Sequence, residues 1–132
     1  MPDFTDLTRE LSDLMLASAP GMIVTKAGGY GLAMNAPIAN PMHPGQPMWF
    51  GGVRMGKAYV SYHLMPVYTH PGLAQSISPA LKKRMQGMSC FNFKTPDPEL
   101  FAQLAALTRA SAEAYSKPLV MPPREPRPKR GA

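Results

Sequence analysis

Ala58-Tyr59-Val60-Ser61-Tyr62-His63-Leu64 is the stretch on which the fold turns. Val60, Tyr62 and Leu64 fall on one side of a two-residue period, and Tyr59, Ser61 and His63 on the other. That alternation predicts a β-strand with one face in the core and one face wet. Gly56-Lys57 just before it reads as a hairpin turn, so residues 48–54 form an antiparallel neighbour. Pro66 ends the strand, because proline brings no amide hydrogen to a ladder.

Working outward, residues 22–27 and 30–34 read as two more strands around Gly28-Gly29. Residues 35–47, with Pro37, Pro41, Pro44, Pro47 and Gly45, read as a long loop. Residues 89–94 repeat the alternation, with Phe91 and Phe93 opposed to Cys90, Asn92 and Lys94. Three helices complete the pattern. The first, over 4–18, places Phe4, Leu7, Leu11, Leu14 and Met15 on one stripe, with Asp3 as its cap. A short one opens at Ser78-Pro79 and runs through Gln86 to a stop at Gly87. The last opens at Asp97-Pro98 and runs to about Ser116 on Leu100, Leu104 and Leu107. Strands joined by tight turns and flanked by helices predict an α+β fold: a single antiparallel sheet of four to six strands with helices packed on one face.

The 132 residues suffice for one domain, and 45% hydrophobic content supports a core without disulfide or metal. We expect residues 1–117 to form that domain and the proline- and base-rich 118–132 to be an extended or disordered tail. The single cysteine, Cys90, has no internal disulfide partner, which suits a reducing compartment. The acidic start lacks a signal-peptide pattern and no run is long enough to span a membrane, so a cytoplasmic protein is expected. The formal charge is +6 and the pI about 9.7. Arg124, Arg127, Lys129 and Arg130 against Glu125 place half of that excess beyond Val120, which argues against a nucleic-acid groove within the domain.

Phe50-Gly51-Gly52-Val53-Arg54, Gly56-Lys57, residues 59–66, Ser78-Pro79, residues 81–87, residues 89–94 and Asp97 follow one another in an order that resembles the YdhG-like family, a domain of unknown function. The resemblance spans about half the chain. It implies a two-layer architecture like that of secretion-chaperone domains. A relative described as a frataxin-like iron chaperone extends the implication to iron handling. Hard iron ions favour carboxylates, however, and the eight acidic residues here are scattered.

On the wet face of the sheet, Ser61, His63, Asn92 and Lys94, with Tyr59 and Cys90 beside them, are the candidate ligand-binding residues. Lys94 would supply charge and the others hydrogen bonds. Lys26 and Tyr68 are secondary candidates. An antiparallel sheet also commonly leaves one face to solvent with no ligand at all. His63 lacks a neighbouring carboxylate for acid–base work, and Cys90 suits an ordinary half-buried thiol as well as a nucleophile. No catalytic residue and no metal ligand is therefore assigned. His43, His63, His70 and Cys90 match no common zinc spacing, and no residue pattern demands a cofactor. Lys82-Lys83-Arg84 with Arg54 and Lys57 would make a basic patch, and Trp49, Phe50 and Tyr59 would stack on single-stranded nucleic acid. A solvated helix face and core packing are, however, the ordinary uses of these residues. The resulting expectation is a non-enzymatic binding or chaperone-like module for a small polar or anionic ligand or a protein partner. A frataxin-like iron protein and a small enzyme using His63 or Cys90 are the alternatives. An exposed sheet edge would allow a two-fold homodimer.

Overall fold

Helix α1 (Thr5–Ser18) buries Leu7, Leu11 and Met15, with Phe4 just ahead of it, as its apolar stripe requires. The computed structural model describes residues 4–28, 31–41, 43–87 and 89–116. The expected Asp3 cap and the 118–132 tail lie outside these residues. Six strands follow α1: β1 (Ile23–Gly28), β2 (Gly31–Asn40), β3 (His43–Met55), β4 (Val60–Leu64), β5 (Met85–Gln86) and β6 (Cys90–Phe93). Helices α2 (Met65–Thr69), α3 (Pro71–Gln75) and α4 (Pro79–Lys82) connect β4 to β5, and α5 (Pro98–Ala114) closes the described chain.

All strand pairs are antiparallel, in the order β1-β2-β3-β4-β6-β5. The fold is thus α+β around a single sheet. Pleat parity holds on β4: Val60, Tyr62 and Leu64 are buried, while Ser61 and His63 are half-buried on the opposite face. The inward set meets α1 and α5, and Leu11, Met15, Tyr62, Leu64, Phe91 and Leu104 lose essentially all exposure. Each such aliphatic or aromatic side chain contributes roughly 1.5–3 kcal/mol by leaving water. Phe93 meets Phe101 of α5 edge-on, with ring centroids 5.1 Å apart. No helix among the described residues is long and apolar enough to cross a membrane.

Two local expectations are corrected. Residues 35–47 are not a long loop: β2 and β3 extend as arms of one hairpin, pairing Asn35 with Trp49, Ala39 with Pro47 and Asn40 with His43. The register shifts repeatedly there, and Pro37 sits in the irregular stretch where no ladder bond is demanded of it. The second correction concerns the short helix, which stops at Lys82 rather than running to Gln86. Met85 and Gln86 pair instead with Phe91 and Cys90, and Gly87, at φ +76°, turns this hairpin rather than ending a helix.

Candidate functional site

The ladder registers align the outer face of the sheet into two adjacent rows. One runs Lys26, Ala33, Gly52, His63, Cys90 across β1, β2, β3, β4 and β6; the next runs Gly28, Gly31, Arg54, Ser61, Asn92. The middle of these rows is nearly free of side chains. Gly31, Ala33 and Gly52 therefore leave a trough, bounded by Lys26 on one side and by Arg54, Ser61, His63 and Cys90 on the other. Its volume is about 780 Å³, within the range of small-molecule sites.

Trp49 completes the wall through a β-bulge. Met34 pairs with Gly51, but Asn35 pairs with Trp49, so Phe50 is an extra residue in β3. Strict alternation would turn Phe50 outward with Gly52 and Arg54. The bulge instead sends Phe50 into the core, where it is fully buried, and aims Trp49 at the groove. The indole packs on the His63 imidazole, with ring centroids 4.6 Å apart and planes inclined by 53°.

His63 is held at both nitrogens. Nδ1 lies 3.2 Å from Cys90 Sγ, its partner in register, and Nε2 lies 2.7 Å from the hydroxyl of buried Ser89. Burial lowers the His63 pKa and raises that of the Cys90 thiol, so both groups are neutral near pH 7. The array is a neutral hydrogen-bonded line, not a thiolate–imidazolium pair.

The remaining candidates divide. Ser61 Oγ donates to Asn92 Oδ1 at 2.9 Å, Asn92 Nδ2 donates to Gln86 Oε1 at 2.7 Å, and the Tyr59 hydroxyl donates to the same Gln86 oxygen at 3.3 Å. Ser61 and Asn92 are thus brought together, with Tyr59 joined to them through Gln86. Lys94 is exposed, lies past the end of β6 and does not line the groove. Tyr68 is exposed on α2 and likewise stands apart, whereas Lys26 lines the groove. The charge that Lys94 was expected to bring comes instead from Lys26 and Arg54, and no acidic side chain lines the groove among the described residues.

Sequence reasoning missed the floor. The signal was present in Gly31, Ala33 and Gly52, but reading it needs the register that sets them side by side. His43 opens β3, and His70 follows α2, where it packs near Tyr115. Among the described residues no group of three or more His, Cys, Asp and Glu is placed to hold a metal ion. On α1, Asp6 pairs with Arg9 at 3.7 Å, both well exposed. Lys82, Lys83 and Arg84 are exposed as well. Comparison with family models, with curated proteins and with solved structures finds no match to this chain.

Proposed function

We propose that the chain is a binding module whose outer sheet face takes a small organic anion with a planar or apolar body. The observation that carries this reading is the groove itself: a glycine- and alanine-floored trough with Arg54 and Lys26 in its walls and Trp49 at its end. The floor admits a flat body close to the backbone. Trp49 offers it a face, and the guanidinium of Arg54 offers a forked pair of donors to a carboxylate or phosphate. Ser61 already spends its hydrogen on Asn92, so toward a ligand it presents an oxygen that accepts. With the His63 line neutral and no carboxylate near it, the features favour binding over turnover.

Trp49 is the only tryptophan in the chain, so its fluorescence reports occupancy directly. Titration with anilinonaphthalene sulfonate, an aromatic anion, is expected to show saturable energy transfer from Trp49. Arg54→Ala should weaken that binding about tenfold, the loss expected for one charge-assisted contact. Lys94→Ala should leave it unchanged. Transfer that never saturates, or that depends on Lys94 and not on Arg54, would place the site elsewhere.

A further inference from the structure

The groove contains a free thiol that binding alone does not use. Cys90 is half-exposed, lines the trough, and shares a hydrogen bond with an imidazole that a buried serine holds from the other side. Resting on the reading of the groove as an anion site, we propose that the Ser89–His63–Cys90 line captures electrophilic organic anions, namely activated alkenes bearing a carboxylate or phosphate, as thioethers on Cys90.

The step balances without a further reactant. With Nδ1 accepting, the hydrogen of the neutral ring sits on Nε2 and is donated to Ser89 Oγ, which fixes the ring. As Cys90 Sγ bonds to one alkene carbon, its proton passes to His63 Nδ1. The π pair moves to the neighbouring carbon, which then takes that proton from Nδ1. One S–C and one C–H bond form, one S–H and one C=C π bond are lost, and nothing leaves. Burial raises the pKa of the Cys90 thiol and lowers that of His63, so the proton leaves sulfur only as the S–C bond forms. The weakly basic ring then gives it up readily to carbon.

Selectivity for anions follows from the rows. Arg54 stands two strands and two residues away from Cys90, about 12 Å between backbones at ordinary sheet spacings. Both residues line the groove. A ligand whose anionic end is separated from its alkene by a few bonds can engage both.

The test uses the full chain, in which Cys90 is the only thiol. Adduct formation near pH 7 is followed by mass spectrometry with maleimidobutyrate and with N-propylmaleimide, which share one electrophile and differ in charge. The ratio of the two rates is compared with the ratio on a short cysteine peptide. The expected ratio on the protein is about tenfold higher in favour of the anion, a typical gain from a charged cleft. Arg54→Ala should return it to the peptide value, and Lys57→Ala, in the turn after β3, should not. His63→Gln should abolish the neutral-pH limb of the rate profile and leave only the rise with thiolate at alkaline pH. A peptide-like ratio, or a pH profile indifferent to His63→Gln, overturns the proposal. If anilinonaphthalene sulfonate still saturates in an Arg54-dependent way, thiol capture alone has failed; if it does not, the anion groove has failed with it.

Discussion

The Tyr62 hydroxyl lies 2.6 Å from Thr108 Oγ1, and both residues are wholly buried where β4 meets α5. Thr108 spends its one hydroxyl hydrogen on the Leu104 carbonyl at 2.7 Å, so Tyr62 must be the donor to Thr108. Burial raises the Tyr62 pKa far above its usual value and keeps the donor in place at any ordinary pH. The two partners are therefore unequal. Tyr62→Phe leaves Thr108 bonded to its carbonyl and should cost about 1 kcal/mol, whereas Thr108→Val strands a buried hydroxyl and should cost about 2 kcal/mol. Urea denaturation of the two variants checks the order, and the reverse order would refute the claim that the stranded Tyr62 hydroxyl is the costlier loss.

Gly52→Ala should be strongly destabilising. A Cβ there would overlap the Leu32 carbonyl oxygen, a backbone atom in the next strand that cannot swing aside. The expected loss is about 3 kcal/mol, in the range reserved for steric conflict in a core. Gly72→Ala in α3 makes the control, since a Cβ there meets nothing within 4 Å. That change should gain about 0.5 kcal/mol by stiffening the unfolded chain. Thermal melts of both proteins give the contrast.

Acid should weaken the fold through His63. Its folded pKa lies below the ordinary 6.5 because burial disfavours the imidazolium. Between the two values the unfolded chain binds more protons than the folded one, so stability rises with pH in that window. The contribution is complete above about 6.5 and is lost as pH falls through the folded value. His63→Gln should flatten this part of the stability profile. A slope that survives the substitution would assign the effect to another group.

Asp97 accepts a hydrogen bond from the Leu100 amide at 3.1 Å and so caps α5, with Pro98 in the first turn. Asp97→Ala should cost about 1 kcal/mol, and Asp97→Asn should restore most of it. Equal losses in the two variants, measured by chemical denaturation, would show that charge rather than the hydrogen bond matters.

Local chemistry made much of this molecule readable. The caps at Ser78 and Asp97, the stripe on α1 and the parity of β4 each depend on residues within a few positions, and each is present. What escaped depends on partners far along the chain. Prolines at 37, 41, 44 and 47 signal a loop, yet the hairpin of β2 and β3 absorbs them by letting its register slip. Met85 and Gln86 continue a helical spacing after Leu81, yet edge pairing with β6 claims them. The bulge at Phe50, which decides that Trp49 and not Phe50 lines the groove, is an event between two strands and has no mark in either one alone. Ser61, His63 and Cys90 could be placed on the wet face from their own strands. Arg54 and the glycine floor required the whole ladder.

The all-exposed β1 has a mechanical consequence. It pairs only with β2, every one of its residues is exposed, and it still supplies Lys26 and Gly28 to the groove. One side of the cleft therefore behaves as a leaf hinged on a single seam, while the opposite side, built on β4, is welded to the interior. Opening that leaf costs its own hydrogen bonds and the covered half of Ile23 and Val24, so the trough can widen while the packing beneath β4 stays intact.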